Sequence, residues 1–234
     1  MAREKITMRV GITSRNGFPV IKTYGSKEQV SGFVLELEGY DISEIADQIL
    51  DYVYESHGSF REGFAGVCRG RLWGFINLGL TEVVEPKYEY VGSVSEGFAT
   101  VKKEGKYGYL KMREQAYPSK WTDMQYDGAN SFCNGRARVK KDELYGYIGD
   151  SYDSKEVIPI IFEEAYDFDH TYPYAVVKEN GKYGVIDKSG DWIVDPIFDE
   201  YYTSSQREGS SYYNAVIDDR LYYLYPNGHY EEVE

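Results

Sequence analysis

The stretch Ala175-Val176-Val177-Lys178-Glu179-Asn180-Gly181-Lys182-Tyr183-Gly184-Val185-Ile186-Asp187 decides the fold of this chain. Asn180-Gly181 stands between two apolar runs, and Asn-Gly signals a hairpin because both residues tolerate positive φ. Side chains alternate between the faces of a strand, so Ala175 and Val177 share one face. Gly184 stands inside the second strand, where glycine has no side chain to pack. Its presence predicts a ring or a backbone lying close over that position. A second turn, Ser189-Gly190, leads to a third strand, Trp192-Ile193-Val194.

The same order recurs outward in both directions. Glu62-Gly63-Phe64-Ala65-Gly66-Val67 matches Glu96-Gly97-Phe98-Ala99-Thr100-Val101 and Asn134-Gly135-Arg136-Ala137-Arg138-Val139. Looser copies are Tyr172-Pro173-Tyr174-Ala175-Val176-Val177 and Tyr212-Tyr213-Asn214-Ala215-Val216-Ile217. The alanines Ala65, Ala99, Ala137, Ala175 and Ala215 stand 34, 38, 38 and 40 residues apart. A second anchor keeps step: Trp73-Gly74, Tyr107-Gly108, Tyr145-Gly146, Tyr183-Gly184 and then Tyr222-Tyr223. A third is Pro86-Lys87-Tyr88-Glu89, Met124-Gln125-Tyr126-Asp127, Ile160-Ile161-Phe162-Glu163 and Pro196-Ile197-Phe198-Asp199. Each unit is predicted to be a three-stranded β-meander, apolar on both faces and covered only by stacking on its neighbours. Ala99, Val101, Ala137, Val139, Ala175 and Val177 are the expected core.

Residues 1–58 do not follow the repeat. Met8 to Ile12 and Pro19 to Lys22 flank Asn16-Gly17 as a hairpin, and Gly32 to Leu37 reads as a third strand. Asp41 or Ser43 caps an expected helix through about residue 55, with Ile42, Ile45, Ala46, Ile49, Leu50 and Val53 at helical spacing. This region is expected to be a small α+β cap on an array over 59–234. The array has four to five units, at 62–95, 96–133, 134–171, 172–211 and 212–234.

The recurring phrase E-G-x-A-x-V, G-K-Y-G-x-I-D, P-x-[FY]-D resembles the WG repeat family. Its Trp-Gly stands here once, at Trp73-Gly74, and Tyr-Gly replaces it in the next three units. The last unit departs, since Leu221-Tyr222-Tyr223 lacks the glycine. The resemblance spans about residues 60–234. It implies a mainly β fold of tandem stacked meanders, as a solenoid or an incomplete propeller. It also implies an interaction module of bacterial type, and it supplies no catalytic residues.

Charge and composition narrow the functions. The chain carries −13, yet residues 1–149 hold 20 acidic and 20 basic residues, and residues 150–234 hold 19 and 6. Residues 100–141 are locally basic, with ten Lys or Arg against four acids. Lys102, Lys103, Arg136, Arg138, Lys140 and Lys141 fall on first strands and would form a ridge if those strands stack. The interleaved aromatics belong to the repeat, so they do not argue for base stacking. The acidic end repels phosphates and anionic lipid and attracts basic partners. It holds 13 of the 25 tyrosines, a residue suited to half-wet interfaces.

Catalytic patterns are missing from the sequence. His57, His170 and His229 have no Ser or Cys partner at an informative spacing and read as loop histidines. Cys68 and Cys133 form no C-x-x-C and are expected as free thiols in a reducing compartment. Glu163-Glu164 and Asp218-Asp219 sit in no calcium-loop pattern. No enzyme, cofactor or metal site is expected. The N-terminus shows no apolar leader and no stretch approaches a membrane span, which leads to the expectation of a cytoplasmic protein. The expected activity is binding of a protein, an inhibitor or immunity-type role toward a basic partner. The contacts are expected at Asp199, Glu200, Tyr201, Tyr202, Tyr212, Tyr213, Asp218 and Asp219. The alternatives are a scaffold that binds through the N-terminal cap and a carbohydrate-binding β-repeat.

Overall fold

Alternating apolar residues and two-residue turns organise most of the described backbone into antiparallel strands. The computed structural model describes residues 7–15, 18–24, 32–36, 50–51, 53–113, 116–150, 156–168, 173–202, 212–225 and 228–233. The chain forms two compact units, residues 1–105 with 109–121, and residues 106–108 with 122–234.

In the first unit, β1 (Thr7–Arg15) pairs antiparallel with β2 (Phe18–Tyr24), from Arg9↔Tyr24 to Arg15↔Phe18. That is the hairpin expected around Asn16-Gly17. β3 (Gly32–Glu36) lies parallel to β1. The helix expected up to residue 55 falls mostly outside the described residues; Leu50, Asp51 and Val53 are described and helical.

The repeats follow. The first sheet is β4 (Ser56–His57), β5 (Phe64–Arg69), β6 (Leu72–Asn77) and β7 (Glu82–Tyr88). The second is β8 (Tyr90–Val91), β9 (Phe98–Lys103), β10 (Lys106–Arg113) and β11 (Ala116–Lys120). In the second unit stand β12 (Gly128–Ala129), β13 (Arg136–Lys141), β14 (Leu144–Gly149) and β15 (Glu156–Phe162). Then come β16 (Glu164–Ala165), β17 (Tyr174–Glu179), β18 (Lys182–Asp187) and β19 (Trp192–Phe198). The last are β20 (Glu200–Tyr202), β21 (Tyr213–Ile217), β22 (Arg220–Leu224) and β23 (Tyr230–Glu232). Each sheet keeps its strands in chain order. The meander expected with three strands thus has four. The extra one precedes the first anchor and is only two or three residues long, too short to show a period.

The hairpins close through turns in which both residues have positive φ, the geometry that matches strand twist. They are Gly70-Arg71, Glu104-Gly105, Asp142-Glu143, Asn180-Gly181 and Asp218-Asp219, with φ from 48° to 78°. The Glu-Gly pairs of the first anchor are also turns, not strand residues: Glu62-Gly63 and Glu96-Gly97 have φ of 48° to 83° and precede β5 and β9.

The glycine of the second anchor meets backbone, as its place in the strand predicts. Pairing runs Trp73↔Tyr88 and Phe75↔Val84, so Glu85, Pro86 and Lys87 bulge opposite Gly74 alone. Tyr145↔Phe162 with Tyr147↔Ile158, and Tyr183↔Phe198 with Val185↔Val194, repeat the bulge over Gly146 and Gly184. A Cβ on Gly74, Gly108, Gly146 or Gly184 would lie 2.2, 2.7, 2.6 or 2.7 Å from a carbonyl oxygen of the following strand or loop.

Alternation explains the core. Ala175, Val177 and Ile186 turn toward Tyr147, Ile158 and Phe162 of the preceding sheet. Tyr174, Val176, Tyr183 and Val185 turn toward Tyr201, Ala215 and Leu224 of the following one. β17 and β18 are therefore buried on both faces. Ala99, Val101, Ala137, Val139, Ala175 and Val177 are all at most 2% exposed, as the alternation predicts.

Candidate interaction surface

The sheet of β20–β23 differs from the one before it in having an open face. Counted from their turns, Ala215 with Tyr222 takes the place of Val177 with Gly184, two residues nearer the turn than Ala175. Val216 with Leu221 then takes that of Lys178 with Tyr183, and Asn214 with Tyr223 that of Val176 with Val185. Tyr201, Tyr213, Ala215, Ile217, Tyr222 and Leu224 face the β16–β19 sheet. The other side presents Glu200, Tyr202, Tyr212, Asn214, Val216, Leu221, Tyr223 and Tyr225, by strict alternation. In the β17–β18 hairpin the corresponding face, Val176 with Val185, is 3% and 2% exposed. Here their counterparts Asn214 and Tyr223 are half-buried, as is Val216, and Leu221 and Tyr202 are 40% and 51% exposed.

Tyrosine rings pave this face. Tyr212 lies 4.3 Å from the Tyr223 ring centre and 6.1 Å from that of Tyr225, and Tyr225 stacks on His229 at 5.6 Å. The Tyr225 hydroxyl donates to Glu231 at 2.6 Å, and the Tyr202 hydroxyl donates to Glu200. Those carboxylates, as acceptors, push both phenols above their usual range and keep them protonated. Tyrosine next to carboxylate then offers an apolar plate and a negative charge side by side.

The sequence-predicted contact residues divide by position. Glu200, Tyr202, Asp218 and Asp219 are exposed, and Tyr212 is half-buried on the open face. Tyr201 is 9% exposed and sits among Tyr166, Tyr183 and Tyr213, at 4.8, 6.0 and 5.5 Å. Tyr213 belongs to that same inner face. Asp199 is occupied inside the fold: it accepts from Lys182 Nζ and from the Asp218 backbone N–H at 3.0 Å. Both bonds hold its carboxyl below the usual carboxylate range. Sequence reasoning missed Leu221, Tyr223, Tyr225 and Glu231. The period-two run Leu221, Tyr223, Tyr225 is the signal that marks three of them.

Of the second unit's four cations in the expected ridge, Arg136, Arg138 and Lys140 are engaged internally, and Lys141 is exposed. Arg138 Nε lies 3.1 Å from Asp167, Arg136 Nε donates to the Lys188 carbonyl at 2.8 Å, and Lys140 pairs with Glu143 at 2.6 Å. His57 lies in β4, 3.2 Å from Asp51, not in a loop; His229 is exposed, and His170 lies outside the described residues. Cys68 and Cys133 are buried and form no disulfide. Among the described residues no group of three His, Cys, Asp or Glu could hold a metal, and no helix is long and apolar enough to cross a membrane.

These repeats define a class of tandem β-repeat protein. The pattern of the WG containing repeat matches residues 73–107, 121–145, 146–183 and 183–209, more than half of the chain. The chain belongs to the WG repeat family. No curated protein matches it in sequence. Solved structures similar to it include Hsv2p of Kluyveromyces lactis, at 9% identity and a TM-score of 0.41, over 76% of this chain and 62% of that one. Another is the dihydro-heme d1 dehydrogenase NirN, at 12% identity and a TM-score of 0.39, over 77% of this chain and 46% of that one. The chain thus spans less than two thirds of either. Likenesses at this level carry no argument, and the assignment rests on the repeat.

Proposed function

We propose that this chain is a non-enzymatic protein-binding module of inhibitor or immunity type, acting in the cytoplasm, and that a basic protein docks on the open face of β20–β23. The observation that carries the reading is Leu221, which takes the place that Tyr183 holds in the preceding hairpin. Tyr183 is 9% exposed and packs 6.0 Å from Tyr201 of the next sheet, whereas Leu221 is 40% exposed. Exposed apolar groups rimmed by charge mark interaction sites. The rim here is acidic, with Glu200, Asp218, Asp219 and Glu231 exposed. It would steer a cationic partner and raise its on-rate at low salt. Membranes and nucleic acids, both anionic, fit this surface poorly.

The test is retrieval of the partner from host lysate at low and high salt, followed by affinity measurements on the purified pair. Glu200→Lys, Asp218→Asn and Asp219→Asn together are expected to weaken binding and flatten its salt dependence. Asparagine is chosen at the turn because it accepts the positive φ of 48° and 61° found there. Asp199 is left intact, since it holds the hairpin. Unchanged affinity and salt slope would refute the docking face.

A further inference from the structure

The outer edges of the repeat sheets are unequal. β7, β11, β15 and β19 each contain a proline, Pro86, Pro118, Pro159 and Pro196, and all four pair with a register shift. Proline and bulges protect a sheet edge from pairing with another chain, because one removes a donor and the other breaks the ladder. The opposite edges, β4, β8, β12, β16 and β20, are only two or three residues long. β23 is also three residues long, but it has neither the proline nor the bulge. It reads Tyr230-Glu231-Glu232, pairs with β22 without a register shift, and all three residues are exposed.

Its free backbone groups can be placed. Tyr225 N–H donates to the His229 carbonyl at 2.7 Å, and Val233 N–H donates to the Leu221 carbonyl at 2.9 Å. Hydrogen-bonded pairs alternate along an antiparallel ladder. Hence His229, Glu231 and Val233 direct their polar groups toward β22, and Tyr230 and Glu232 direct theirs outward.

We infer that β23 is a strand-addition site that takes an extended basic segment of a partner protein. Main-chain bonds to Tyr230 and Glu232 would give affinity, and cross-strand side chains would give selectivity. The charge settles the occupant. Opposite charges across a strand pair are favourable and like charges are not. A second copy would bring Glu231 and Glu232 against their own kind. A segment with Lys or Arg opposite the two glutamates and an apolar residue opposite Tyr230 meets no such conflict. Arg220, 3.5 Å from Glu232 and exposed, competes only weakly. The inference rests on the docking reading above and names how one part of that surface is used.

The experiment uses the full chain and a fluorescent peptide of repeated Val-Lys-Lys units. A control of equal charge has each valine replaced by proline. The unbroken peptide is expected to bind about tenfold more tightly, the difference expected for two backbone hydrogen bonds. Glu232→Pro removes an outward N–H and leaves the β22 ladder alone, so it is expected to abolish that difference. In the unaltered chain, amide exchange at Tyr230 and Glu232 is expected to slow on binding, a readout independent of the variant's folding. Equal binding of both peptides, or protection confined to Tyr202 and Tyr223, overturns strand addition and leaves the acidic face standing. Failure of both peptides to bind overturns both readings. A concentration-dependent dimer that Glu232→Pro abolishes assigns the edge to a second copy and also overturns the inference.

Discussion

The carboxylate of Glu163 accepts the backbone N–H of Gly181, with its two oxygens at 3.2 and 3.1 Å. Glu163 is the acid that ends the third anchor, and Gly181 is in the turn of the hairpin that follows. The relation recurs: Glu55 with Gly70 at 2.9 Å, Glu89 with Gly105 at 3.3 Å, Asp127 with Asp142 and Asp199 with Asp218, both at 3.0 Å. The aspartates, one methylene shorter, reach the first turn residue, and Glu89 and Glu163 reach the second. The acid where the chain passes between sheets therefore ties down the next hairpin. Glu163→Ala is expected to cost about 1 kcal/mol, the net worth of one such bond, and Glu163→Gln less. Urea midpoints at constant m-value check this. No change in either would mean that the turn is held by its own φ angles.

Acid should weaken the same device. The hydrogen bond from Lys106 and the Asp142 N–H lower the Asp127 carboxyl, and Lys182 with the Asp218 N–H lower that of Asp199. A folded-state value below the unfolded one adds stability above the unfolded value, and that stability is lost as pH falls through the folded one. Asp127→Asn and Asp199→Asn are each expected to flatten the acid limb of a stability profile between about pH 5 and pH 2. A limb of unchanged slope would count against it.

Alkali should act through Tyr183. Its hydroxyl donates to Glu164 at 2.9 Å, and burial together with that carboxylate pushes it up to about 12. A folded value raised above the unfolded one gives stability that is whole below the unfolded value near 10 and lost as pH rises through the folded one. Tyr183→Phe is expected to be less stable at neutral pH and to lose less between pH 10 and 12. Parallel curves for the two proteins would refute this.

Gly184→Val is expected to cost more than the 1–3 kcal/mol typical of an overfilled core. Its Cβ would stand 2.7 Å from the Val194 carbonyl oxygen and 2.7 Å from the Trp192 ring, and the first is backbone. Gly181→Ala meets nothing within 4 Å but keeps a φ of +78°, so about 1 kcal/mol is expected. Thermal denaturation of both separates crowding from backbone strain, and equal losses would deny the close approach.

The alternation of Ala175 with Val176 and the glycine at 184 carried most of the architecture, because burial on both faces and close backbone approach each restrict residue type. The short strands did not show, since Tyr90-Val91 or Glu164-Ala165 has no room for a period. The site was half legible. Charge and tyrosine content pointed to the last sheet, but Asp199 and Tyr201 face inward while Leu221 and Tyr223 face out. Which side a residue takes depends on strand phase, and the phase follows from turns such as Asp218-Asp219 that lack the glycine signature.

β17 serves two cores at once, with Ala175 and Val177 in one and Tyr174 and Val176 in the other. A single substitution there disturbs one neighbour without adjusting it to fit. Duplicating the entire unit, in contrast, brings both complementary surfaces along and leaves every junction of a kind already present. Selection would then find growth or loss by whole modules easier than gradual change within one, and the number of repeats becomes the variable that lineages are free to alter.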